Sequence, residues 1–141
     1  MVKFDIKRLL KIHTILLILG LVLEIAALVV YNITGVNEFN ATLSSPVLVF
    51  TIISIVLASI ILVLRVLSID EIKIVKLHLD IVIVANYVIA LFAFMFYAIS
   101  QANYLANVLV SIDGNTISFT FVLTVALFVL SFLFTASAAF F

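Results

Sequence analysis

The sequence contains no cysteine and has few charged residues. Without cysteine, the 141-residue chain cannot form disulfides, zinc–thiolate sites or iron–sulfur clusters. Charged residues make up 10% of the chain and apolar residues 67%, whereas a soluble domain is about a quarter charged and half apolar. The mean hydropathy is +1.51. A water-soluble fold of this size cannot cover so much apolar surface, so the composition predicts a single integral membrane domain.

Four long apolar segments predict an all-α fold, a hydrophobic four-helix bundle that spans a membrane. The clearest segment lies between Pro46 and Leu64, where nineteen residues carry no charge. As a helix they extend about 28 Å, close to the roughly 30 Å of a bilayer hydrocarbon core. Pro46 suits the first turn of a helix, and Ser45 can cap it. The predicted helices cover residues 9–31, 46–67, 69–101 and 116–141.

Local signals mark several helix ends. The segment Ser68-Ile69-Asp70-Glu71 has the spacing of a capping box, so the third helix is predicted to begin there. Polar residues after Ser100 leave open whether that helix continues to Val110. Asp113-Gly114-Asn115 predicts a turn before the fourth helix. The first apolar run follows basic residues, as in a signal peptide, but it is too long and lacks a cleavage site, so we interpret it as a mature helix.

The basic residues are confined to two regions of the chain. All seven lie before the first helix or around the connection between the second and third helices, at Lys3, Lys7, Arg8, Lys11, Arg65, Lys73 and Lys76. Four spans put both regions on one side of the membrane, and the positive-inside rule makes that side, with both termini, cytoplasmic. After the acids on that side are subtracted, a surplus of three positive charges remains. That surplus suits anionic headgroups and, repeated over an assembly, weak non-specific contact with DNA.

The first loop carries two glycosylation sequons on the predicted exterior side. They are Asn32-Ile33-Thr34 and Asn40-Ala41-Thr42. Chance sequons are common in loops of this composition. Asn40 is the better candidate, because Asn32 lies close to the predicted membrane boundary.

Small and polar residues recur on one face of each predicted helix. Their spacings of three, four and seven residues place each set on one stripe, and in lipid such stripes mark helix contacts while large aliphatic residues face outward. The stripes are Gly20, Glu24, Ala27 and Tyr31; Thr51, Ser54, Ala58 and Arg65; Asn86, Ala90, Ala93 and Tyr97; and Thr124, Ser131, Thr135 and Ala138. The chain is also rich in phenylalanine, and those predicted to face lipid or a neighbouring chain are Phe92, Phe94, Phe96, Phe128, Phe132 and Phe134.

Three ionisable residues in or near the spans are candidates for chemistry. Glu24 is an acid inside a span, where ionisable groups are candidates for proton or cation sites. A proton path needs several such groups, so we favour a hydrogen-bonded role on the stripe, opposite Asn86. His13 and His78 lie near the cytoplasmic ends of the first and third helices, and paired histidines can ligate haem. Since no motif supports haem, we expect no cofactor, no metal and no enzymatic activity.

Several features of the whole chain occur together in one known group of proteins. They are four apolar helices, an exterior of Ile, Leu, Val and Phe, the absence of cysteine and tryptophan, and a charge-poor last helix ending in Ala138-Ala139-Phe140-Phe141. In these features the chain resembles the very hydrophobic major coat proteins of spindle-shaped viruses of hot-acid archaea. The resemblance implies a helical coat subunit that resides in the host membrane before assembly, and it assigns no functional residue. Tetraspanins and claudins do not fit, because they depend on extracellular cysteines.

These observations favour a structural protein over two alternatives. We expect a membrane-inserted, self-assembling capsid subunit of an archaeal virus, found in the host membrane and the virion. Its partners are many copies of itself, lipid and, weakly, packaged DNA, with no small-molecule substrate. The alternative is a small accessory or assembly subunit of an archaeal respiratory membrane complex. An ion-coupled carrier that uses Glu24 fits less well, because four short spans lack inverted repeats and broken helices.

Overall fold

The elements of secondary structure in the described part of the chain are all helices. The computed structural model describes residues 4–36, 40–67, 69, 72–110 and 116–140. A short 3₁₀ segment (Ile6–Leu10) is followed by α1 (Ile12–Thr34), α2 (Ser45–Val66), α3 (Lys73–Ser100), α4 (Ala102–Leu109) and α5 (Phe119–Phe140). By length and hydropathy, α1, α2, α3 and α5 can each cross a membrane. The prediction of four spanning helices is therefore confirmed.

The four long helices form a ring in which each helix packs against two neighbours. The order around the ring is α1, α2, α3, α5 and back to α1, and within the described residues the diagonal pairs do not pack backbone against backbone. Chain order makes ring neighbours antiparallel. The start of α1 and the end of α5 therefore lie together, and Lys11 and Phe140 line one cleft. The predicted four-helix bundle, with both ends of the chain on one side, is confirmed.

The interior and the exterior of the bundle have inverted polarity compared with a soluble protein. Buried positions recur at intervals of three and four residues, the spacing of one face in a left-handed bundle. On α2, Ser54 has no exposed surface, whereas Val56 and Val63 are 50% and 55% exposed. In water this arrangement would be unstable. It is the arrangement expected in lipid, where small and polar residues mediate helix contacts.

The first two helices begin at slightly different residues from those predicted. α1 begins at Ile12 rather than residue 9, because the Asp5 carboxylate accepts a hydrogen bond from the Lys7 backbone nitrogen (3.0 Å) and starts a separate 3₁₀ turn. α1 also continues to Thr34. The residue that precedes α2 is Ser44 rather than Ser45, and its side chain makes no capping bond.

The later helices also start downstream of their predicted positions. α3 begins at Lys73, and the predicted capping box at Ser68, Asp70 and Glu71 falls outside the described residues, as does the turn at Asp113-Gly114-Asn115. α3 ends at Ser100, and the separate helix α4 follows, so the third helix does not run unbroken to residue 110.

The start of α5 is set by a tyrosine from α4. The Tyr104 hydroxyl donates to the Thr116 carbonyl oxygen (3.0 Å) and accepts from the Ser118 backbone nitrogen (2.7 Å). These two bonds hold residues 116–118 outside the helix, so α5 begins at Phe119 rather than residue 116.

The helices α1 and α5 approach each other most closely at Gly20. A Cβ atom on Gly20 would lie 2.6 Å from Thr135 Oγ1, 3.2 Å from the Thr135 backbone nitrogen and 3.3 Å from the Ser131 carbonyl oxygen. Two of these three atoms belong to the backbone. Rotation of the Thr135 side chain can relieve only the shortest of the three contacts, so a larger residue at position 20 requires the two helices to move apart by a few tenths of an ångström.

The close approach predicts that Gly20→Ala destabilises the bundle even though alanine favours helix. The substitution gains about 1 kcal/mol of helix propensity, but overpacking against a backbone costs roughly 1–3 kcal/mol. We expect a net loss of about 1 kcal/mol, measured as a lower unfolding temperature of the purified protein in detergent micelles.

Ala126→Leu is the control for this prediction. Ala126 is exposed on the outer face of α5, so the larger side chain should leave the unfolding temperature unchanged. If Gly20→Ala raised the unfolding temperature, the close α1–α5 contact would be wrong.

Candidate functional site

A polar cluster lies at the centre of the bundle, near the midpoints of three helices. Glu24 on α1, Ser54 on α2 and Asn86 on α3 are each at most 1% exposed. The Ser54 Oγ atom lies 2.9 Å from Glu24 Oε2 and 3.2 Å from Asn86 Oδ1. The hydroxyl of Ser54 therefore links the two other side chains. Glu24 and Asn86, expected to face each other, are joined through a third residue rather than directly.

The cluster has one hydroxyl proton for two acceptors. Ser54 can donate to Glu24 Oε2 or to Asn86 Oδ1, but not to both at full strength. Turning the Asn86 amide brings its nitrogen against Ser54, which then accepts from Asn86 while it donates to Glu24. In the orientation shown, Glu24 Oε1 and Asn86 Nδ2 have no hydrogen-bond partner among the described residues. The arrangement ties three helices together but offers no continuing chain of ionisable groups.

The residues of the four predicted stripes all lie inside the bundle. Each of the sixteen is buried, from Gly20 on α1 to Ala138 on α5. Toward the end where α1 starts, the core becomes aliphatic and contains Leu17, Ile61 and Leu79. Toward the other end it becomes aromatic. The polar cluster thus separates two apolar layers.

The aromatic layer contains a phenylalanine that was predicted to face outward. The Tyr97 ring packs edge-on against Tyr31 (5.6 Å between centroids) and stacks on Phe128 (5.1 Å). Phe128 is only 2% exposed, so its predicted outward position is wrong. It occupies the inward position between Thr124 and Ser131, and its ring fills the space left by these small neighbours.

The other predicted outward phenylalanines lie at or near the surface. Phe92 is 42% exposed. Phe96 is half-buried and stacks on Phe50 with 5.2 Å between ring centroids. Phe94, Phe132 and Phe134 are also half-buried, in the outer layer of the bundle.

The basic residues fall into two groups that the sequence did not distinguish. Arg8 and Arg65 are buried, at 9% and 7% exposure. Arg8 Nη1 donates to the Arg65 carbonyl oxygen, and Arg65 Nη1 donates to the His13 carbonyl oxygen, each at 3.4 Å. A guanidinium near the last carbonyls of α2 is favourable, because those groups carry the negative end of the helix dipole. Both arginines therefore stabilise the end of the bundle rather than face open solution.

The lysines remain at the surface of the same end. Lys7, Lys11, Lys73 and Lys76 are exposed. Lys3 lies outside the described residues. These lysine side chains are thus the exposed basic groups among the described residues of this end.

The two histidines lie on different helices, α1 and α3, and differ in exposure. His78 is exposed, and its Nδ1 donates to the Ile74 carbonyl oxygen (2.8 Å) on its own helix. His13 is half-buried on α1 and lies beside Arg65 of α2. In the ring of helices, α1 is diagonal to α3. Across the described ranges, no group of three or more His, Asp or Glu side chains could hold a metal ion.

The two sequons differ in backbone environment. Asn32 lies in the last turn of α1, where its Nδ2 donates to the Leu28 carbonyl oxygen (2.8 Å). Asn40 lies in the non-helical segment before α2 and is half-buried. Glycosylation at either position stays a prediction.

Comparison of the chain with protein-family models, with curated proteins and with solved structures found no match. Its function must therefore be inferred from the bundle itself. The features available for that inference are the central polar cluster, the aliphatic exterior and the lysine-bearing end.

The central cluster predicts that Ser54→Ala destabilises the bundle more than Ser59→Ala does. Removing the Ser54 hydroxyl leaves Glu24 and Asn86 buried without their common partner, at a cost of roughly 1–2 kcal/mol. Ser59 is on the same helix, but its hydroxyl donates only to the Ile55 carbonyl oxygen of its own helix (2.8 Å). We expect a change below about 0.5 kcal/mol for Ser59→Ala. Thermal unfolding in detergent measures both.

Glu24→Gln completes this comparison. An amide at position 24 can donate to or accept from Ser54, so the unfolding temperature should stay close to that of the unmodified chain. Equal losses for Ser54→Ala and Ser59→Ala would show that the cluster contributes nothing to stability.

Proposed function

We propose that the chain is a membrane-inserted structural subunit that packs side by side with many copies of itself, as the major capsid subunit of an archaeal virus. The observation that carries this proposal is the division of residue types in the bundle. Small and polar residues lie at the contacts between helices, between an aliphatic and an aromatic core layer, and the exposed large apolar residues of the long helices are mostly branched aliphatic. A subunit with this division can be surrounded on every side by lipid or by further copies.

The outer surface supports lateral packing because all four long helices contribute to it. Val22 on α1, Val56 on α2, Val84 on α3 and Val122 on α5 are each between 45% and 57% exposed. Contacts between such side chains come from dispersion and are non-directional, so neighbouring subunits can slide and tilt. A coat that closes into curved shapes needs contacts of this kind.

The outer face of α2 also has a shallow apolar notch. Ser59 and Ile60 line it together with Val63 and Leu64. Its small residue leaves room for a side chain of a neighbouring helix, in the way that small residues permit close packing in lipid. This notch is the most specific feature that favours protein neighbours over lipid alone.

The interior favours a structural role over transport. One polar cavity lies near Tyr104 and another near Lys76, at opposite ends of the bundle. Between them lie the fully buried side chains of Leu17, Glu24 and Ile61. A carrier would need a polar route between the two ends, and a closed core is what a building block requires.

Fractionation of cultures that make the protein tests this proposal. We expect the chain to dominate a dense, DNA-containing particle band, with repeating shells or tubes in electron micrographs and this chain as the main component by mass spectrometry. Recovery only from cell membranes, in fixed ratio with larger proteins, would instead support an accessory subunit of a membrane complex.

Cysteine cross-linking tests the side-by-side contacts directly, because the natural chain has no cysteine. Val56→Cys and Val63→Cys put single thiols on the outer face of α2, and oxidation in the assembled state should give covalent dimers. Ala58→Cys is the matched control, since Ala58 is on the same helix but only 2% exposed. Equal cross-linking at position 58, or none at the outer positions, would contradict the proposed packing.

A further inference from the structure

An open cleft of about 500 Å³ lies at the end of the bundle where α1 begins. Its walls come from the start of α1, the last turn of α2, the first turns of α3 and the last turn of α5. This volume lies within the range of sites that bind small molecules, roughly 300–1,000 Å³. The cleft therefore has room for a ligand of the size of a lipid headgroup and the start of its chains.

The mouth of the cleft is predominantly cationic. Lys11 on α1 and Lys76 on α3 are exposed, and the buried Arg65 lines the same cleft with its guanidinium held against the His13 carbonyl oxygen. Asp80 is the acidic side chain in this lining. Among the described residues of the lining, three cationic groups from three helices against one carboxylate favour an anion with several oxygens, such as a phosphate.

The cleft changes from charged to apolar along α3. Lys76 and Asp80 lie near the mouth, whereas Ile83 and Val84 line the cleft one to two turns further into the bundle. The rise from residue 76 to residue 84 is about 12 Å. On the opposite wall, Phe140 of α5 is apolar and 75% exposed. A membrane lipid presents the same order, with its phosphate at the interface and its hydrocarbon below.

We propose that this cleft binds the phosphate headgroup of an anionic membrane lipid, with Lys11, Arg65 and Lys76 around the phosphate. The first part of the hydrocarbon chain lies along Ile83 and Phe140. The lipid is favoured over free phosphate and over DNA because those ligands would use the charged mouth and leave the apolar groove empty. The inference applies to a membrane protein of any function, so it does not depend on the proposed coat role.

Native mass spectrometry of the full chain in detergent tests this site, with phosphatidylglycerol and phosphatidylcholine as probes. The unmodified chain should retain phosphatidylglycerol in preference to phosphatidylcholine. A lysine near a membrane surface contributes roughly a fivefold factor in binding. We therefore expect Lys11→Gln with Lys76→Gln to lower the retention of phosphatidylglycerol by about tenfold or more.

The matched control is Lys7→Gln with Lys73→Gln. These lysines are exposed at the same end of the bundle but do not line the cleft, so the variant has the same change in net charge. We expect less than about a twofold change in retention. Equal losses in the two double variants would overturn the site in favour of diffuse electrostatic attraction.

Asp80→Asn provides a test whose expected result, stronger lipid binding, cannot arise from misfolding. Removing the carboxylate from the lining should strengthen the retention of phosphatidylglycerol by roughly threefold. Lys11→Arg with Lys76→Arg keeps both charges and should keep retention near that of the unmodified chain. An unchanged or weaker retention in Asp80→Asn would contradict the proposal.

Competition experiments separate a lipid from other phosphates. On this proposal, neither millimolar inorganic phosphate nor a short DNA duplex displaces bound phosphatidylglycerol. Displacement by inorganic phosphate would overturn the lipid assignment in favour of a plain anion site. Duplex binding that is lost in the Lys11/Lys76 variant and kept in the Lys7/Lys73 variant would overturn it in favour of nucleic acid. Either result would leave the fractionation test of the coat role unaffected.

Discussion

The hydroxyl of Ser54, placed between Glu24 and Asn86, is the contact on which the arrangement of α1, α2 and α3 depends. In lipid, an aliphatic surface gains little by leaving its surroundings for another helix, because both are equally apolar. A carboxyl or an amide facing lipid, in contrast, costs several kcal/mol. Turning α1 or α3 by half a turn would expose such a group. The polar cluster therefore determines which face of α1 and of α3 points inward, and Ser54 of α2 links the two.

The fourth spanning helix is held in a different way. The Thr124 hydroxyl of α5 donates to the Thr120 carbonyl oxygen of its own helix (2.7 Å) and also forms a side-chain hydrogen bond with Tyr97 of α3. The closest approach of α5 is to α1, where Gly20 leaves room for the backbone at Thr135. Hydrogen bonds of the polar cluster thus join α1, α2 and α3, whereas close packing joins α5 to α1. Because an added Cβ at Gly20 would lie inside van der Waals contact of α5, the α1–α5 contact tolerates bulk much less than the outer surface does.

The four helices and their inward faces could be predicted from the sequence, because hydrophobic length and the spacing of small residues are local properties. The contacts between inward faces could not be predicted, since they depend on how the helices assemble. Phe128 shows the difference: its residue type is typical of a lipid-facing position, but its spacing from Thr124 and Ser131 places it inside. The start of α5 likewise depends on Tyr104, a residue of another helix. Arg8 was predicted only as a charge on the cytoplasmic side, and Arg65 was predicted both there and on the inward stripe of the second helix. The carbonyl partners of both arginines become neighbours only after folding.

The two ends of the bundle differ in a way that matters for a subunit with uniform sides. Aliphatic flanks alone would allow neighbours to pack in either direction across the membrane. At the end where α1 begins, Lys11 and Lys76 are held at the rim of an open cleft. At the opposite end, the Tyr31 hydroxyl accepts from the Ser44 backbone nitrogen (2.7 Å) and closes the connection to α2. On the proposed lipid site, an end that binds anionic headgroups gives every copy the same orientation and depth. Non-directional flanks can then pack in a single layer, because direction is already set at the membrane surface.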